Sequence, residues 1–202
     1  MHSSLQRLNS VFALATSVLL CLLAIIDTMS TPRRNPTGSV AIKSLETVSG
    51  RAIWHMDRRT QDYIVTSFDI QANFTDLFRW NTKQVFVSLV AEYQDAKNQS
   101  NSVVIWDRIL RTPSSAYVDL QDEQNKYGFR EVSKSFGGID TTRFTLKWNV
   151  MPKVGQLHYG NEFASSALKI PSKVVEVPAS SAEGGAASSP KKVKQKVRQM
   201  YY

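Results

Sequence analysis

Three histidines, one cysteine and seventeen acidic residues are the raw material for chemistry in this 202-residue chain. A metal site needs several His, Cys, Asp or Glu side chains clustered at ligand spacing. His2, His55 and His158 are far apart, and Cys21 lies inside an apolar run. A Ser–His–Asp set assembles across a sequence, so counting does not exclude one. Yet the chain has no Gly-x-Ser-x-Gly elbow and no Gly-rich phosphate loop. His55, near Trp54 and Asp57, reads as a surface histidine, and His158, between Leu157 and Tyr159, as a partly buried structural one. Asp107 can meet Asp119 or Asp122 only if tertiary packing joins them. Gly137-Gly138 reads as a turn. The expectation is therefore no catalytic residue, no cofactor and no metal. Modification is better supported. Asn98-Gln99-Ser100 and Asn73-Phe74-Thr75 are N-glycosylation acceptors by pattern, whereas Asn35-Pro36-Thr37 is disqualified by its proline. A used acceptor would put its surroundings on the luminal or extracellular side of a membrane.

Charge says little about a nucleic-acid partner, and none is expected. The net charge is +8, but Lys191, Lys192, Lys194, Lys196 and Arg198 stand in the last twelve residues without an acid among them. The remainder is nearly balanced and offers no wide basic surface. With one cysteine the chain can form no internal disulfide. Cys21 reads as a lipid-facing or helix-packing side chain, with palmitoylation the lesser reading.

The elements that must position these residues begin with an uncharged run. Residues 11–26 carry no charge, and Asp27, Thr28 and Met29 follow. Nineteen residues, 11–29, make a helix of just under about 30 Å, the thickness of a hydrocarbon core. Two readings stay open from the segment itself. A cleaved leader fits Arg7, the apolar centre and the small residues Thr28 and Ser30. An uncleaved signal-anchor fits the length of the run. Arg7 on one side and Arg33 and Arg34 on the other leave orientation undecided.

Residues 30–38 hold two prolines and a glycine and read as a linker. From 39 to 178 the signal is alternation, the mark of half-buried strands. Ile64, Phe68, Ile70, Ala72 and Phe74 share one parity; Val85, Val87, Leu89, Ala91 and Tyr93 form a second set; Phe144, Leu146, Trp148 and Val150 a late one. Residues 39–45 suggest an early strand and 116–120 a short one. Residues 103–110 are apolar on both faces at their start, which predicts a central strand. Short polar turns between strands predict a mainly β fold: one N-terminal transmembrane helix, then an antiparallel, sandwich-like domain. Residues 179–202 are Ala/Ser/Gly-rich and then basic, and predict a disordered tail, with anionic lipid or an acidic partner patch as the functional alternative.

Residues 76–81 break the alternation at the end of a hairpin. Phe78, Trp80 and Trp106 have the bulk of core residues. Aromatics are also the usual interface anchors, so Phe78, Arg79 and Trp80 are the candidate partner-facing set.

Several ordered motifs resemble one family. Phe68-Asp69-Ile70, Leu77-Phe78, Trp80-Asn81, Lys83-Gln84 and Ala91-Glu92-Tyr93 come first. They are followed by the stretch from Asn101 to Ile109 with its Val103-Val104-Ile105-Trp106-Asp107, then Leu146-Lys147-Trp148-Asn149-Val150-Met151-Pro152 and Gly155. Together with the opening around Arg7-Leu8-Asn9, this pattern resembles the signal peptidase complex subunit 3 family over roughly residues 1–175. The resemblance implies a type II protein of the endoplasmic reticulum membrane, with residues 1–10 cytosolic, a signal-anchor at 11–29 and a luminal β domain at 39–178. It implies a non-catalytic accessory subunit, in contact with membrane lipid, that supports a catalytic serine protease subunit and sits with other small membrane subunits. The sequon that relatives carry just before the last strand is replaced here by Thr141-Thr142-Arg143, so any glycan would fall on Asn98 or Asn73. The competing reading is a secreted or surface β-sandwich binding module with a cleaved leader.

Overall fold

The computed structural model describes residues 3–30, 35–50, 60–95, 97–171 and 174–176. His2, His55, residues 31–34 of the expected linker and the basic tail lie outside the described residues. The chain opens with helix α1, Ser4–Ser30, which is long and apolar enough to cross a membrane. Its polar side chains turn back on the helix. Thr16 donates to the Phe12 carbonyl, Ser17 to Leu14 O (2.8 Å) and Thr28 to Ile25 O (2.9 Å). Hydroxyls bonded in this way leave no unsatisfied donor toward hydrocarbon.

Among the described residues ten strands follow: β1 (Thr37–Gly50), β2 (Gln61–Asn73), β3 (Thr82–Gln94), β4 (Ser100–Leu110), β5 (Tyr117–Gln124), β6 (Phe129–Arg130), β7 (Thr141–Pro152), β8 (His158–Ala164), β9 (Leu168–Lys169) and β10 (Val174–Glu176). One sheet has the order β10-β1-β2-β5, with β6 also on β2; the other has the order β4-β3-β7-β8, with β9 also on β7. Every pairing is antiparallel except β1 with β10.

The alternation in the sequence becomes the core. Ile64, Phe68, Ile70, Ala72 and Phe74 of the first sheet meet Val85, Val87, Leu89, Ala91, Phe144, Leu146, Trp148 and Val150 of the second, in one buried cluster. Between the sheets Phe68 meets Trp106 edge-on at 6.4 Å, and Phe74 meets Trp148 at 6.0 Å.

One strand departs from expectation. β4 stands at the edge of its sheet, not at the centre. Its apolar run has a local cause: the β3–β4 register slips between Leu89–Trp106 and Val90–Val104, which leaves Ile105 as a bulge residue. Ile105 and Trp106 are then both buried in succession. The edge is partly closed by the connection after β5, whose Lys126 and Tyr127 amides donate to Ile105 O (2.7 and 3.0 Å).

Candidate functional site at the helix–sandwich junction

Among the described helix residues Leu23, Ile26 and Asp27 are half-buried and Ser30 is buried, while the others are exposed. These four are spaced i, i+3, i+4, i+7 and so form one face over the last two turns. Two segments of the sandwich meet that face: the connection from β2 to β3, and the loop from β7 to β8.

Asn81 is the centre of the junction and is 2% exposed. Its amide donates to Ser30 Oγ (2.8 Å) and to the Val154 carbonyl (2.7 Å), and its Oδ1 accepts from the Val154 amide (3.1 Å). Its own carbonyl accepts from the Lys153 amide (2.7 Å). The side chain therefore uses both its donors and its acceptor, which suits a buried amide. One turn deeper, Asp27 Oδ1 accepts from the Gln156 amide at 2.9 Å. Gly155 makes this approach possible: its φ is +111°, and a Cβ there would lie 2.3 Å from Asp27 Oδ1. Only glycine serves at that position, on grounds of both backbone and space.

The connection is shaped by its own hydroxyls. Residues 75–77 make one 3-10 turn. Thr82 Oγ1 accepts from the Arg79 amide (3.1 Å) and donates to Leu77 O (2.8 Å), which closes the bend before β3. Of the candidate trio, Phe78 packs half-buried against the core, Arg79 is exposed and Trp80 is exposed. Trp106 is a core residue, with the Arg108 guanidinium 5.4 Å from its ring centre.

The two sequons occupy opposite ends of the sandwich. Asn73 ends β2, and its Oδ1 accepts from both the amide (2.9 Å) and the hydroxyl (2.6 Å) of Thr75, its own sequon partner. It lies at the helix end of the domain. Asn98 tips the β3–β4 loop with φ +61°. Asp95 holds that loop by accepting from the Lys97 (2.9 Å) and Gln99 (2.8 Å) amides. The thirteen residues of β3 separate the two ends by about 40 Å.

Several titratable groups away from the junction are held by local hydrogen bonds. Asp107 meets neither Asp119 nor Asp122. It accepts from Lys126 Nζ (2.6 Å) and Tyr127 Oη (2.8 Å), and the Lys126 hydrogen bond holds its carboxyl below the usual range against the effect of burial. Asp122 takes the Ser67 hydroxyl instead. Tyr93 donates to the buried Glu131, and burial followed by that carboxylate pushes the phenol up. His158 is half-buried, with Nε2 enclosed and unpartnered. No group of three or more possible metal ligands occurs among the described residues.

Asp27 was legible only as the end of an apolar run, and Ser30 only as a small residue at a leader cleavage site. The signal that marks them is that a carboxylate at a membrane boundary needs a donor. Trp80-Asn81 and Gly155 stood among the family motifs, and the geometry supplies their physical reason.

Comparison with known proteins gives the family. A family model described as a signal peptidase subunit matches residues 1–173. The chain is 33% identical to signal peptidase complex subunit 3 of Drosophila melanogaster over 159 residues, covering 78% of this chain and 88% of the relative. It is 34% identical to the Homo sapiens protein of that name over 163 residues, 78% of this chain and 87% of that one. It is 29% identical to the Yarrowia lipolytica protein over 189 residues, covering 86% of this chain and 100% of that protein. With α1, the junction and strands β1 to β9 of the sandwich inside the matched region, the chain belongs to the signal peptidase complex subunit 3 family.

Proposed function

We propose that the chain is a non-catalytic accessory subunit of the endoplasmic reticulum signal peptidase complex. α1 stays in the membrane as a signal-anchor, with the short N-terminus cytosolic and the β domain luminal. The domain supports assembly and activity of a catalytic serine protease subunit that removes signal peptides, beside other small membrane subunits.

The observation that carries this reading is the junction. A leader cut near Thr28 or Ser30 would take away Asp27, the acceptor for Gln156, and leave the Asn81 site without its helix. A hydrogen-bonded, glycine-dependent seat for the helix end supports a retained anchor, and disfavours the secreted module with a cleaved leader. Arg79, exposed beside this seat, is the side chain of the candidate trio best placed to meet a neighbouring subunit. Asn98 is the better glycan acceptor of the two, since it tips a loop far from the helix end, whereas Asn73 faces the bilayer side.

The test is depletion of the chain in its own cells. Pulse-labelled secretory precursors should accumulate with their signal peptides attached, and re-expression of the full chain should restore cleavage. Normal cleavage after complete depletion would overturn the proposal.

A further inference from the structure

The junction sets a depth as well as a direction. Arg7 and Asp27 bound the uncharged part of α1 and are twenty residues apart. At about 1.5 Å per residue that is about 30 Å, the full thickness of a hydrocarbon core. If α1 spans, Asp27 therefore sits at the headgroup boundary. Gln156 donates to Asp27 Oδ1 at 2.9 Å, so the β7–β8 loop lies at the same level. Asn81 bonds Ser30, three residues further along the helix and thus about 4.5 Å further out.

What these two segments expose is unlike a water-facing turn. Trp80 is 62% exposed and Leu157 48%, Val154 is exposed beside them, and Tyr159, at the start of β8, is 71% exposed. On the helix Met29 is exposed at the same level. Lys153 stands in the same loop, with Nζ 3.5 Å from the Trp80 carbonyl. Large apolar and amphipathic side chains beside the cations Lys153 and Arg79, at the height where a span ends, match the side chains that settle in the headgroup layer.

We propose that Trp80, Val154 and Leu157 form a foot of the sandwich that inserts into the phospholipid headgroup layer around the end of α1, with Lys153 reaching the lipid phosphates and Tyr159 at its rim. The occupant of this surface is the bilayer itself. The proposal rests on the anchor reading above and deepens it: helix and foot together fix the height and tilt of the domain over the membrane. A protease partner that cuts close to that surface would gain from a neighbour held at constant height.

Nitroxide depth measurements on the full chain in phosphatidylcholine vesicles test this. Cys21→Ser removes the only native thiol, and single labels are then placed through Trp80→Cys, Leu157→Cys, Val18→Cys and Asn98→Cys. The readout is collision with oxygen, which dissolves in lipid, against collision with a water-soluble nickel chelate. The expected result is a Val18 site deep in hydrocarbon, an Asn98 site fully open to nickel, and Trp80 and Leu157 sites whose nickel collisions fall several-fold below that of Asn98. Leu157 gives the answer alone if the Trp80 variant does not fold. A buried Val18 site with Trp80 and Leu157 as open as Asn98 would overturn the foot and leave the anchor intact. A Val18 site open to nickel would overturn the anchor reading, and the foot with it.

Discussion

At the residue scale, buried or bridging polar groups hold particular connections in place. Asp107 joins β4 to the connection after β5 through Lys126 and Tyr127. Its folded carboxyl is held below the ordinary value, first by the Lys126 hydrogen bond. Its stabilising effect is therefore present above the unfolded value of about 3.9 and is lost as pH falls through the lower folded value. Lys126 is raised, first by the hydrogen bond to Asp107, so its share is present below about 10.4 and lost as pH rises through the folded value. Asp107→Asn should lower stability at neutral pH and flatten its fall toward about pH 3, as read by denaturant midpoints of the full chain in detergent. Parallel acid profiles for the two proteins would contradict this. Such partners were illegible beforehand, since nineteen residues of sequence separate Asp107 from Lys126 and only a bulged edge strand brings them together. Arg79 was legible as a candidate because its stretch breaks the strand alternation. Arg79→Glu should weaken recovery of the catalytic signal peptidase subunit with this chain while leaving the melting temperature nearly unchanged. Equal recovery would contradict that role.

At the element scale, the strands were readable because each buries one parity. The period-2 sets in β2, β3 and β7 became the two inner faces of the sandwich. Position within the sheet was not readable. A bulge mimics the two-sided apolar run of a central strand, so β4 looked central and is an edge. The seat of α1 was half legible: Asn81 and Gly155 appeared as motif residues, but their joint target on the helix needed the fold. Asn81→Ala would strand the Val154 amide and carbonyl together and break the bond to Ser30 Oγ, whose own hydroxyl still donates to Ile26 O. Leaving such groups unpaired costs about 2 kcal/mol, on the order of 30-fold in hydrogen-exchange protection. Faster exchange of the amides of 153–157, with the core of β3 unaffected, is the expected result in the full chain. Gly155→Ala should loosen the same amides, because its φ and the Asp27 carboxylate both oppose a side chain. Unchanged exchange in both variants would remove the junction from the account.

At the scale of the whole molecule, one helix long and apolar enough to cross a membrane carries one sandwich, joined to it at the helix's last two turns. On the proposed anchor reading the two ends of the sandwich face different surroundings: Trp80 and Asn73, at the helix end, toward the bilayer, and Asn98 about 40 Å away. A luminal domain should carry its glycan at Asn98, so Asn98→Gln should abolish the mobility shift on endoglycosidase treatment while Asn73→Gln leaves it. A shift lost only with Asn73→Gln would contradict the placement. The most direct measurement is affinity purification of the full chain from its own membranes in mild detergent, with identification of the co-purifying proteins and of the chain's own first residues. The account predicts that a signal peptidase catalytic subunit comes with it and that the chain retains residues 1–30. A chain that begins near Thr31 and comes without any signal peptidase subunit would contradict it.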